Sequence, residues 1–224
     1  MHHRNTRPAP WALGVSTLSL SLTLTFTLGM SLVTTPAAAQ QRIPTIAPSD
    51  YTPEQKQAAE AFEAARKAPV SGPFEPLMHS PQVMTLARSM GDYLRFKSAI
   101  GTTLSELVIL ITAREWTQDY EWHVHYPIAL KAGIKVSVAD AIAEGRRPTG
   151  MSDDEDIVYE FSTELHRSKR VSDVTYARAE KRFGKQGVID LTGVNAYYAL
   201  LAMEMNMAQY EPPKGAKRLE RFPK

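Results

Sequence analysis

The chain has 224 residues, 26 of them basic and 24 acidic, and it contains no cysteine. Charges so nearly balanced, with no basic cluster, exclude a nucleic-acid surface. The missing thiols exclude cysteine redox chemistry, thiolate metal sites and disulfides together.

Residues 1–39 read as an export signal. Arg4 and Arg7 give a positive start, the stretch from Ala12 to Val33 is apolar, and Pro36-Ala37-Ala38-Ala39 offers small residues to a signal peptidase. The apolar stretch is also long enough for an uncleaved anchor, but Ala-x-Ala at its end favours a cut after Ala39. The product, expected in the periplasm or secreted, begins at Gln40 and makes no stable membrane contact. The leader holds two basic residues and no acid, so the remainder balances 24 against 24. A mature chain of about 185 residues suits one domain with a real core.

Residues 40–50 carry Pro44 and Pro48 without periodicity and read as an extended arm. Thr52-Pro53-Glu54-Gln55 starts a helix, with Thr as N-cap, Pro at N1 and Gln at N3. That helix stops before Pro69 and has one thin apolar stripe. Residues 69–81 form a proline-rich loop in which Phe74, Leu77 and Met78 favour packing, and His79 is expected to make a local hydrogen bond. Pro81 to Phe96 reads as a helix with Val83, Met84, Leu86, Ala87, Met90 and Leu94 on its apolar side.

Thr103-x-x-Glu106 fits a capping box, opening a helix through LVILI (Leu107 to Ile111) that is buried on most of its circumference. A further helix spans Gln118 to Ala132, bent at Pro127 and ended by Gly133. A short helix from Ser137 ends near Gly145. Ser152-x-x-Glu155 opens the next, Ser172 caps one that ends at Gly184, and a last long helix begins at Gln186 or Gly187. The tail, residues 211–224, is expected to be flexible. No segment alternates cleanly as a strand, so the domain over residues 51–210 is expected to be all-α, with about eight helices.

Chemistry gathers between Glu106 and His125. At about 100° per residue, Gln118, Glu121 and His125 share one helix stripe, while His123 points roughly 200° from Glu121. His123 and His125 therefore cannot clamp one metal ion from a continuous helix, and no metal site is expected. Glu121 and His125, at i and i+4, can touch, as a general acid/base and its carboxylate do; they can equally be an ordinary surface pair. The apolar neighbours Trp122, Tyr126, Ile128 and Leu130 favour a half-buried pair. Glu106 can be the capping glutamate, a site residue, or both. Glu115 reads as solvated or paired with Arg114 or a neighbour, and His166 as exposed.

The stretch SELVILITAREWTQDYEWHVHYPIALKAG, with GPFEPLMHSP and GDYLRFKS upstream, resembles the carboxymuconolactone decarboxylase family, which includes the alkylhydroperoxidase D-like proteins. The resemblance covers roughly residues 51–209. In the peroxidase branch a glutamate precedes a Cys-x-x-Cys pair and a histidine. The glutamate matches Glu106, the histidine matches His125, and the cysteine positions fall on Gln118 and Glu121. A thiol peroxidase is thereby disfavoured. The decarboxylase branch implies a cofactor-free homotrimer or hexamer that removes CO₂ from an unsaturated lactone acid. On that pattern His125 is the proton donor, Glu106 or Glu121 orients it, and Tyr120, Trp122 and Tyr126 bind the small acid or lactone. A non-catalytic binding or assembly protein on the same fold is the alternative.

Overall fold

The computed structural model describes residues 41–222; the signal segment called from the sequence lies outside them. A 3₁₀ turn at Pro48–Asp50 precedes eight α-helices: α1 Pro53–Arg66, α2 Phe74–Leu77, α3 Pro81–Phe96, α4 Thr102–Glu115, α5 Asp119–Lys131, α6 Val136–Ala143, α7 Asp153–Ser168 and α8 Asp173–Ala208. No strand occurs among the described residues. The all-α expectation holds.

Several boundaries follow from local chemistry that the sequence displays. Thr52 and Gln55 close the capping box at the start of α1, and Ser152 and Glu155 close the one at the start of α7. The side chain of Ser172 accepts from the Thr175 N–H. α8 breaks at Gly184, whose φ of 68° and ψ of 176° lie outside helical space, at the glycine where one helix was expected to end.

The fold is organised around α4. Every residue from Leu104 to Arg114 is buried, and α4 packs against α5, α7 and α8, with α6 and α3 beside it. A helix with no solvent face needs apolar residues all round, which is what LVILI supplies. α3 lies against α8 through two small residues. A Cβ on Gly91 would strike the Tyr197 ring, and one on Gly193 would meet Leu94, so both glycines allow the close approach that seats Tyr197.

Four expectations need correction. Thr103 does not cap α4: the helix starts at Thr102 after Gly101, without a side-chain cap, and the Thr103 hydroxyl donates to the Ala132 carbonyl at 2.8 Å. Glu106 is therefore free of a capping duty. The apolar side of α3 is split: Met84, Ala87 and Leu94 are buried, whereas Val83, Leu86 and Met90 face solvent. A stripe that wide exceeds what one helix can turn toward its neighbours.

His166 is half-buried rather than exposed, with Nε2 3.1 Å from Thr112 Oγ1. Burial is the main influence lowering its pKa. The C-terminal tail is pinned rather than loose. Leu219 is buried and its N–H donates to Asp119 Oδ1 at 2.9 Å. Arg221 pairs with the other Asp119 oxygen at 2.8 Å, and the Phe222 ring lies 4.5 Å from the Arg114 guanidinium. At the other end, the Arg42 N–H donates to the Ala208 carbonyl at 2.8 Å, so the arm lies against the end of α8.

Candidate active site

The site begins with the cap of α5. The Gln118 side-chain oxygen accepts from the Tyr120 and Glu121 backbone N–H groups, which fixes the first turn of the helix. One and two turns along the same stripe stand Glu121 and His125. Both are buried, His125 at 4% exposure and Glu121 at 3%.

His125 sits between two carboxylates. Its Nδ1 is 2.6 Å from Glu106 Oε2 on α4, and its Nε2 is 3.3 Å from Glu121 Oε2. A carboxylate at each nitrogen favours the doubly protonated imidazolium. Burial is the largest influence and disfavours that charge, but the hydrogen bonds to Glu106 and Glu121 together outweigh it, and the pKa is raised. Burial likewise pushes Glu106 upward, and His125 and Arg95 outweigh it, so Glu106 is held below its usual range. Arg95 Nη2, on α3, reaches Glu106 Oε1 at 3.3 Å.

α8 closes the far side. The Tyr198 ring meets the His125 ring edge-on at 5.2 Å and 85°. Burial drives the Tyr198 phenol well above its ordinary pKa and also raises that of Tyr197, so both remain neutral hydroxyls. A cavity of about 260 Å³ opens on this cluster. Its wall includes Arg66, Arg95, Tyr120, Glu121, His125 and Tyr198. The volume suits a small organic acid, and the wall carries two guanidinium groups, Arg66 paired with Asp92 and Arg95 with Glu106, beside the Glu121 carboxylate.

Of the residues singled out from sequence, Glu106, Glu121 and His125 converge, and Tyr120 lines the same cavity. Trp122 and Tyr126 do not. They lie four apart on another side of α5, their rings 5.7 Å apart, and line a separate hollow of about 310 Å³ with His123 and Asp140. The Tyr126 hydroxyl is spent on Asp140 Oδ1 at 2.8 Å. Helix geometry explains the split: Tyr126 projects about 100° from His125, on the side away from Tyr120. His123 is exposed and apart from the cluster. Glu115 pairs with Arg167 at 2.7 Å, not with Arg114.

Arg66, Arg95, Tyr197 and Tyr198 also line the cavity, and the sequence reading does not single them out as site residues. Arg95 adjoins Leu94, at the edge of an apolar face. A charge at such an edge is a signal that periodicity counting passes over.

No protein-family model matches the chain, and neither does any curated protein. Among solved structures it is similar to the alkylhydroperoxidase AhpD core of an uncharacterised peroxidase-related protein from Ralstonia eutropha JMP134. The TM-score is 0.64 at 16% identity, over 79% of this chain and 95% of that one. The chain has the alkylhydroperoxidase D-like fold.

Proposed function

We propose that this protein is a cofactor-free carboxy-lyase, or a closely related enzyme, acting on a small unsaturated lactone acid, with His125 as general acid. The observation that carries this reading is the buried Glu106–His125–Glu121 row opening onto a cavity with Arg66 and Arg95 in its wall. Loss of CO₂ sends an electron pair into the conjugated ring, and the resulting dienolate must take a proton at carbon. His125 holds Nδ1–H firmly against Glu106 and Nε2–H more loosely against Glu121, so the second proton is the one it gives up. Arg66 and Arg95 attract the carboxylate. The tyrosines, kept neutral by burial, serve as hydrogen-bond donors to the enolate oxygen.

A non-catalytic relative predicts the same residues sealed in packing, and the cavity favours the enzyme. Thiol peroxidase chemistry has no cysteine to use. The test is turnover of lactone acids by purified protein without added metal or cofactor, followed as CO₂ release; no turnover across a panel of such acids would remove this reading.

Two wider expectations belong to it. The chain is a homo-oligomer, trimer or hexamer. Ile189, Leu200, Met203 and Met207 stand exposed on α8 at the three-and-four spacing that packs helix on helix, and Val83, Leu86 and Met90 stand exposed on α3. The double substitution Leu200→Glu with Met203→Glu is expected to reduce the mass in light scattering to that of one chain; an unchanged mass would contradict this interface. The protein is also exported, and mass spectrometry of the protein from the cell envelope is expected to show Gln40 as the first residue. An intact Met1 would contradict cleavage.

A further inference from the structure

The turn between α4 and α5 is held in an uncommon backbone state. Thr117 has a φ of 46°, a left-handed conformation that strains a β-branched residue and persists only where its surroundings hold it. Two helices contribute. On α4, Arg114 Nη2 donates to Thr117 Oγ1 at 2.8 Å. On α8, Asn206 Nδ2 donates to the Trp116 carbonyl at 2.9 Å, and Asn206 Oδ1 accepts from Gln118 Nε2 at 3.1 Å. Gln118 is the residue whose side chain fixes the first turn of α5, and with it the place of Glu121.

The C-terminal tail grips the same corner on both sides of Gln118. Before it, Arg221 Nη1 donates to the Thr117 carbonyl. After it, both oxygens of the buried Asp119 are spent on the tail. Oδ1 accepts from the Leu219 N–H at 2.9 Å and Oδ2 from Arg221 Nη2 at 2.8 Å, with Arg218 Nη1 at 3.6 Å. One residue further, the Tyr120 ring meets edge-on that of Tyr210, where the chain leaves α8, at 5.1 Å and 86°. The tail is itself seated. Leu219 belongs to the core, and Phe222 lies so close to Gly145 that a Cβ there would come within 2.7 Å of its ring.

We propose that Asp119 is a positioning residue for the site and that residues 211–222 are a strap acting through it, holding the α4–α5 corner so that Glu121 stays within reach of His125 Nε2. The inference takes the Glu106–His125–Glu121 row as the reacting centre and so rests on the carboxy-lyase reading. Neither Asp119 nor Arg221 is in the cavity wall, so neither touches what the cavity holds. The two carboxylates of the row are carried differently. Glu106 stands on the buried α4 and meets Nδ1 at 2.6 Å, whereas Glu121 stands in the first turn of α5 and meets Nε2 at 3.3 Å. Only the second depends on the corner. Releasing the strap therefore loosens the Nε2 side of the imidazole and leaves the Nδ1 side in place.

The test reads the His125 ring N–H protons by NMR in resting wild type, Arg221→Gln and Asp119→Asn, the signals being assigned by their absence from His125→Gln. Arg221 is exposed, so its variant is expected to keep the fold, and it releases the strap without removing the acid that favours the start of a helix. Both variants are expected to shift the Nε2–H signal and speed its exchange with water, while the Nδ1–H signal stays. In the kinetics, kcat is expected to fall about 10- to 10²-fold in each with KM little changed. The double variant is expected to lose no more than the worse single one, because both act through one contact. An unmoved Nε2–H signal in Arg221→Gln, two signals that move together, additive losses or a wild-type kcat would overturn the proposal. Because the signals are read without substrate, the expected shift in a protein inert toward lactone acids supports the strap and counts against the carboxy-lyase reading alone.

Discussion

Replacing His125 with glutamine is expected to lower kcat about 10²–10⁴-fold while the protein stays folded. The histidine is the group proposed to give a proton to carbon, because it lines the cavity between two carboxylates that favour its charged form. Glutamine fills similar space and can still hydrogen-bond toward the two carboxylates, but its amide has no proton to transfer near neutral pH. Alanine is the poorer test, since it leaves Glu106 and Glu121 buried and facing an empty space. Circular dichroism and thermal melting check the fold, and single-turnover kinetics check the chemistry. A glutamine variant with wild-type kcat would remove His125 from the mechanism.

The second large effect is on stability. Glu106→Ala removes the shared acceptor of His125 and Arg95, leaving a buried imidazolium with one weaker partner and a guanidinium with none from Glu106. Breaking a buried pair from one side costs about 3–5 kcal/mol, which for a domain of this size lowers Tm on the order of 10 °C.

The loss should depend on pH. The folded pKa of His125 is raised above 6.5, so its contribution is full below that value and is lost as pH climbs through the folded pKa. The Glu106 pKa is depressed below 4.5, so its contribution is full above that value and is lost as pH falls through the folded pKa. The stability difference between wild type and Glu106→Ala is therefore widest between pH 4.5 and 6.5 and narrows on either side. Urea denaturation at several pH values measures it directly. A difference that stays constant with pH would show that the cluster contributes no linked protonation.

Much of this was legible from the residues, and the failures have a common cause. Short-range rules worked where partners are close in sequence. The capping boxes at Thr52 and Ser152, the break at Gly184 and the Gln118–Glu121–His125 stripe all depend on residues within two turns of helix. The capping alternative for Glu106 rests on a short-range rule and fails where a distant partner prevails, while its place in the site holds. Its partner is His125, 19 residues on, and the start of α4 two residues earlier, with Gly101 rather than Thr103 at the N-cap, frees it for that role.

The remaining site residues lie still farther off. Arg95 comes from α3 and Tyr198 from α8, and nothing in their immediate neighbours marks them as meeting His125. The same holds for the tail, which is proline- and lysine-rich by composition yet is anchored through Asp119, 100 residues from Leu219. Trp122 and Tyr126 show the opposite error. Nearness in sequence to His125 suggested shared function, but adjacent helix positions point in different directions.

The most direct test of proton transfer by His125 is proton NMR of lactone acids incubated in D₂O with the purified protein. Wild type is expected to release CO₂ and return a product with one deuterium on the protonated carbon, and His125→Gln to do so far more slowly. An unchanged panel of lactone acids, or equal deuterium incorporation by wild type and the His125→Gln variant, would contradict the account.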